Sequence, residues 1–257
     1  MKKILQILCV MVILIVLFVL IVYLQVKYNG YRALPILNKY LSAHCVSNQS
    51  VFDTKQFAWT NAFRNNWITI FDEYRKFNSQ YEIPNYALLN SHVASCDLHN
   101  KWKALFLRAF NKDTTIAQYF PQTMNLINQS PCTLAFFSVL EPGALLEPHY
   151  GLYKGVIRYH LALSVPKEKE KCFLQVDGKK LIWSQGQDLM FDDLFLHSVE
   201  NNTNETRIIL FLDIKRDFNN WFLNFINTLI LFFIKSNDAL DETIYNANTK
   251  SFQKRVN

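Results

Sequence analysis

The chain has 257 residues, half of them hydrophobic and 15% aromatic, with 27 basic and 21 acidic side chains for a net charge of +6. This composition excludes a disordered or low-complexity chain, and the length suffices for one domain with a full core. The charge is too modest to name an anionic partner, and no nucleic-acid partner is expected.

The first element in chain order is apolar. Ile7 to Leu24 is a run of 18 apolar residues, preceded by Lys2 and Lys3 and followed by Lys27. A helix of ~20 residues spans the roughly 30 Å hydrocarbon core, so the run predicts a transmembrane anchor over residues 1–27. A cleaved signal peptide fits less well, because the run is long and no small-residue cleavage site follows. Basic residues lie on both sides, with Arg32 and Lys39 adding to the second, which favours a cytoplasmic catalytic domain and a single-pass membrane protein. Four N-x-S/T triplets, at Asn48, Asn128, Asn201 and Asn204, do not settle a lumenal location. Cys9, Cys45, Cys96, Cys132 and Cys172 show no C-x-x-C spacing, so scattered thiols are expected rather than a zinc site or a disulfide framework.

Residues 28–130 read as a connector and helical flank. Within it, 28–50 carries short helical pieces. Residues 59–77 form an amphipathic helix, with Phe63, Trp67, Phe71 and Tyr74 at core spacing. Residues 113–128 read as a further helix interrupted by Pro121. Residues 131–216 change texture. Short β-branched and aromatic runs, Thr133–Leu140, Val156–Val165, Cys172–Val176, Lys180–Trp183, Leu189–Phe191 and Arg207–Ile214, alternate with turn signals such as Asp177-Gly178. That pattern predicts a β sandwich or barrel. Residues 217–257 hold the apolar stretch Trp221–Ile234 and a polar, mobile tail. The stretch is too short to span and predicts a helix in the membrane interface or one packed on the β domain.

Six histidines are present: His44, His92, His99, His149, His160 and His197. His149 at a strand edge and His197 before a strand could converge on one metal, and imidazole suits iron(II). Alone, such a pair is more often structural. The motifs around it change that. Phe137-Ser138-Val139-Leu140-Glu141-Pro142-Gly143, His149-x-Gly151, Arg158-Tyr159-His160-Leu161, Trp183-x-x-Gly186, Phe191-Asp192-Asp193-x-x-x-His197 and Arg207 occur in this order over about seventy residues. The sequence resembles the aspartyl/asparaginyl β-hydroxylase superfamily.

The resemblance implies a mainly β, double-stranded β-helix (jelly-roll) fold with flanking helices, and an Fe(II)- and 2-oxoglutarate-dependent dioxygenase that consumes O2. His149 and His197 match the iron-binding and catalytic positions. Ser138, Arg158, His160 and Arg207 match the 2-oxoglutarate positions, and Trp102 resembles a further cosubstrate-pocket residue, with an ordinary core tryptophan as its alternative. An arginine fork suits the distal carboxylate of a dianion, and Arg158 on an apolar strand is costly to bury without such a partner. Gly151 stands where related oxygenases carry a carboxylate ligand. That implies a two-histidine site in which water or a nearby acid compensates, with Asp192 and Asp193 as turn or outer-sphere residues.

Two substrates compete. One branch hydroxylates Asp or Asn in proteins; another hydroxylates an acyl chain of lipid A. The anchor and Tyr153–His160 favour the lipid and Gly151 the protein, so a lipid A acyl chain is the expected substrate and Asp or Asn in a protein the alternative. A third reading, a non-catalytic jelly-roll module on a membrane stalk, would require a lost metal or cosubstrate position, and all matched positions are filled.

Overall fold

The computed structural model describes residues 2–45, 47–90, 95–97, 99–234, 238–251 and 253–254, so His92 lies outside the described residues. In chain order the elements are α1 (Lys2–Ala43), β1 (Val51–Phe52), α2 (Thr60–Asn65), α3 (Trp67–Asn78), α4 (Tyr86–Leu89), β2 (Trp102–Ala109), β3 (Lys112–Asp113), α5 (Pro121–Asn128), β4 (Cys132–Leu140), β5 (Ala144–His149), β6 (Val156–Ser164), β7 (Cys172–Val176), β8 (Lys179–Ile182), β9 (Asp188–Phe191), β10 (His197–Asn201), β11 (Arg207–Lys215), α6 (Trp221–Ile234) and α7 (Asp238–Lys250).

The strands form two antiparallel sheets. The larger has the order β1-β9-β6-β11-β4-β2-β3, and the smaller β5-β10-β7-β8. From β4 to β11 the chain passes repeatedly between them, with β4, β6, β9 and β11 in the large sheet and β5, β7, β8 and β10 in the small one. That is the jelly-roll winding. Every residue of β4 is buried. Phe137 points toward the helices, where it meets Tyr74 and Phe120 at ring distances of 5.2 and 5.0 Å. Its neighbour Phe136 points between the sheets, stacked 4.3 Å from Phe211. A strand covered on both faces needs no polar alternation, which is why this run reads as continuously apolar. The β7–β8 hairpin closes at Asp177 and Gly178, both at positive φ (51° and 75°), as an Asp-Gly turn requires.

Several expectations change. The helix expected over 59–77 breaks at Asn66 into α2 and α3, and its buried stripe is Phe63, Ile70, Tyr74 and Phe77, with Trp67 and Phe71 packed alongside. Pro121 does not interrupt a helix but begins α5, where its missing N–H costs nothing. The expected helical flank contains β2, which extends the large sheet beside β4. The tail is not loose throughout: α7 buries Ala247, and Asn248 Oδ1 accepts hydrogen bonds from Thr115 N and Oγ1 at 2.9 and 3.0 Å. Residues 28–43, read as connector, continue α1 without a break and carry Pro35 within the helix.

Among the described residues no helix is long and apolar enough to cross a membrane. The run 7–24 expected to do so lies in α1, and the side chains of 7–9 and 11–15 fall outside the described residues. α6 packs on α1 through Leu223, Ile226, Ile230 and Leu231, against Leu41 and Leu37 and beside Tyr153 and Val156. Its Asn227 reaches the β domain, with Nδ2 donating to Gly155 O at 2.9 Å and Oδ1 accepting from Tyr153 Oη at 2.8 Å. Among the described residues, Cys45, Cys96, Cys132 and Cys172 form no disulfide, and Cys132 and Cys172 are buried.

Candidate active site

The pairing of β5 with β10 sets His149 directly opposite His197. Their ring centroids are 4.2 Å apart. Each Nδ1–H donates to a carbonyl two residues back in its own chain segment, His149 to Glu147 O at 2.6 Å and His197 to Phe195 O at 2.9 Å. Those bonds fix the tautomers and put the lone pair of each ring on Nε2, the atom that could meet a Lewis acid. Burial is the first cause that keeps both rings neutral: it lowers His149 and, with Arg158 and His149 adding, brings His197 to about 3. The Nη1 of Arg158 lies 3.3 Å from His197 Nε2, so this lone pair already faces a cation.

Gly151 has a steric role. A Cβ built there would lie 1.9 Å from Asp193 Oδ2 and 2.0 Å from its Cγ. The space that a side chain at 151 would need is filled by the carboxylate of Asp193, whose own carbonyl accepts Gly151 N–H at 2.6 Å. Asp193 Oδ2 pairs with Arg158 Nη2 at 3.0 Å, while its buried Oδ1 has no partner. Burial raises this carboxyl in spite of Arg158. Asp213, opposite Arg158 on β11, lies 3.6 Å from Arg158 Nε, and burial pushes it up to about 7. Among the described residues no third His, Cys, Asp or Glu joins the two imidazoles in a three-ligand cluster.

Behind the histidines, Ser138 Oγ accepts from Trp102 Nε1 at 2.8 Å and from Arg207 Nη1 at 3.3 Å. Arg207 is 2% exposed, its guanidinium lies 4.7 Å from the Trp183 ring centroid, and its Nε has no partner. Burial lowers it to about 10. His160 sits among Phe191, Phe211 and Trp183, with neither ring nitrogen partnered. Burial holds it well below the usual imidazole range, with Arg207 and Arg158 adding to the effect.

All seven residues singled out from sequence, Trp102, Ser138, His149, Arg158, His160, His197 and Arg207, line one cavity between the sheets. A buried guanidinium and a bare imidazole with unmet donors are costly unless an anion completes them. The donor set therefore fits a carboxylate at Arg207, and the paired Nε2 atoms fit a divalent metal. Sequence reasoning missed Asp213 and Trp183 as partners of the two arginines. The first is an acid inside an apolar strand, a recognisable signal of a buried charge pair; the second was visible only as part of a motif. Asp192 also proves structural. It is fully buried, and its Oδ2 accepts from Lys154 Nζ and Arg216 Nη2, both at 2.5 Å.

Residues 64–217 match the sequence model of the family described as Aspartyl/Asparaginyl beta-hydroxylase. The chain is 34% identical over 171 residues to the ornithine lipid ester-linked acyl 2-hydroxylase of Rhizobium tropici, covering 65% of this chain and 61% of that protein. It is 31% identical over 100 residues to the aspartyl/asparaginyl beta-hydroxylase of Homo sapiens, covering 37% of this chain and 13% of that one. Against aspartate beta-hydroxylase domain-containing protein 2 of Xenopus tropicalis it is 40% identical over 83 residues, 31% of this chain and 22% of that one. The chain thus spans less than two thirds of the length of these relatives. With more than half of its residues matched, in the order and jelly-roll setting described, the chain belongs to the aspartyl/asparaginyl β-hydroxylase family.

Proposed function

We propose that this protein is an Fe(II)- and 2-oxoglutarate-dependent hydroxylase of a membrane-lipid acyl chain. The observation that carries the reading is the single cavity in which two Nδ1-tethered imidazoles stand beside the buried Arg207–Ser138–Trp102 cluster. His149 and His197 would hold the iron, which supplies the centre for oxygen activation. Arg207 and Ser138 would receive the distal carboxylate of 2-oxoglutarate, the guanidinium by paired N–H donors and the hydroxyl by one. Neutral His160 adds a donor without a second charge. Arg158, braced by Asp193 and Asp213, stands between the two sets and keeps a cation next to the imidazoles. The overall reaction balances: O2 takes two electrons from a C–H bond and two from the oxidative decarboxylation of 2-oxoglutarate. One oxygen atom enters the substrate and one enters succinate.

The lipid substrate is supported by the first relative, named for an ester-linked acyl chain of ornithine lipid. That name widens the expected substrate from lipid A to acyl lipids in general. The 18-residue apolar run in α1 supports membrane anchoring, and the outward side chains of α6, among them Trp221 at 81% exposure, support a second contact with the interface.

The test uses the full-length protein with Fe(II), 2-oxoglutarate and O2. Succinate should form, and lipid from cells expressing the gene should gain one oxygen on an acyl chain by mass spectrometry. His149→Ala and His197→Ala should abolish both. Full activity in either variant would refute the metal assignment. Unmodified lipid together with a hydroxylated Asp or Asn in a peptide would favour the protein-directed alternative.

A further inference from the structure

Three large exposed side chains lie close in sequence to the two histidines that line the cavity. Tyr150, directly after His149, is 63% exposed; Leu152 is 56% exposed; Leu196, directly before His197, is 45% exposed. The cross-strand pairing of the two histidines places Tyr150 and Leu196 at the same end of the site. An alkyl chain that covered them would gain about 25 cal/mol per Å² of apolar surface removed from water.

The loop that carries two of them is not free to turn over. The side-chain amide of Asn38 in α1 brackets it: Nδ2 donates to Leu152 O at 2.8 Å, and Oδ1 accepts Lys154 N–H at 2.9 Å. Between these bonds Tyr153 is buried in the cluster formed by Leu41 of α1 and Leu223 and Ile226 of α6. Lys154 Nζ is then locked to Asn48 Oδ1 and Asp192 Oδ2, both at 2.5 Å. With Tyr153 and Lys154 fixed inward, Tyr150 and Leu152 are held outward. The loop that follows a metal-site histidine is thus fastened to the helix whose earlier turns expose Val16, Leu17, Leu20 and Ile21.

We infer that Tyr150, Leu152 and Leu196 form an acyl-chain lip, the subsite that grips the alkyl chain of a membrane lipid as it enters the cavity. The inference rests on the lipid reading above. An alkyl chain is the ligand that fits, because the lip offers one hydroxyl and otherwise only hydrocarbon. The bracket by Asn38 places the lip beside α1, where a lipid leaving the bilayer along that helix would be met.

The test measures steady-state kinetics of the full-length protein in mixed micelles. The probes are ornithine lipids carrying either a palmitoyl or an octanoyl ester-linked chain. Tyr150→Ser combined with Leu152→Ser, and Leu196→Ser alone, alter exposed positions, so folding is checked simply by the thermal midpoint. For the palmitoyl lipid, KM should rise on the order of tenfold in the double variant. For the octanoyl lipid the rise should be much smaller, and Leu152→Met should behave as wild type. If the wild type is active and KM does not move, or moves equally for both chains, the lip is refuted while the lipid reading stands. If the wild type hydroxylates neither lipid, the lipid reading falls and takes the lip with it.

Discussion

Gly151→Ala is the sharpest probe of the site. No positive φ restricts this glycine, so the cost of a methyl group there is purely steric. The methyl would overlap Asp193 Oδ2 and Cγ at 1.9 and 2.0 Å, so the carboxylate has to leave. It cannot leave cheaply. Asp193 is 2% exposed, and its departure separates it from Arg158 at 3.0 Å. Breaking a buried pair costs about 3–5 kcal/mol; with the Arg158 side chain 22% exposed, solvent screening brings the expected loss nearer about 2–3 kcal/mol. Urea unfolding of the metal-free protein measures it directly. The decisive control is Asp193→Ala, which removes the atoms the methyl would strike. In that background Gly151→Ala should cost nothing more, giving a coupling energy of about 2 kcal/mol in a double-mutant cycle. Additive effects, or a Gly151→Ala protein as stable as wild type, would refute the argument that Asp193 occupies the space of residue 151.

Other variants test the remaining parts. His160 and His197 have lowered pKa values in the folded protein, so the unfolded chain binds protons more readily below about 6.5. Stability should therefore be complete above that pH and fall below it by about 1.4 kcal/mol per pH unit for each histidine; equal urea midpoints of the metal-free protein at neutral and mildly acidic pH would contradict this. Arg207→Lys keeps the charge but loses the fork and the stacking on Trp183, so the 2-oxoglutarate requirement should rise roughly tenfold or more. An unchanged KM for 2-oxoglutarate would show that Arg207 does not hold the carboxylate. Asp192→Asn leaves the buried Lys154 and Arg216 without their shared anion and should cost about 3–5 kcal/mol in unfolding free energy. A loss no larger than that of a surface substitution would mean that the two cations find water.

The jelly roll was legible because its strands carry a local signal. Cys172–Val176 and Lys179–Ile182 are joined by an Asp-Gly dipeptide that suits their hairpin, and β4 and β11 are rich in β-branched and aromatic residues. β2 was not legible. Trp102–Ala109 holds Lys103 and Arg108 among its apolar residues, and its strand character comes from lying beside β4 rather than from its own period. α7 was hidden for a similar reason: Asp238–Lys250 is polar by composition, and its place is secured by Ala247 and by hydrogen bonds from Thr115, at the start of a distant helical turn, to Asn248. The cavity-lining residues were legible through ordered motifs, whereas Asp213 met Arg158 only once β6 and β11 were paired, and Trp183 met Arg207 only once the small sheet faced the large one.

Gly151 and Asp193 show most clearly what a linear reading leaves out. In the sequence they are separate observations, a missing carboxylate after the first histidine and a pair of acids before the second. Pairing β5 with β10 makes them one. The carboxylate of Asp193 fills the volume a side chain at 151 would fill, with one oxygen held by Arg158 and the other without a partner. The acid comes from the turn before β10 and is paired there with Arg158. The glycine is then not merely the absence of a ligand. It is the condition that lets an acid from the turn before β10 stand in the same space, so the cost of a side chain at 151 depends on what stands at 193.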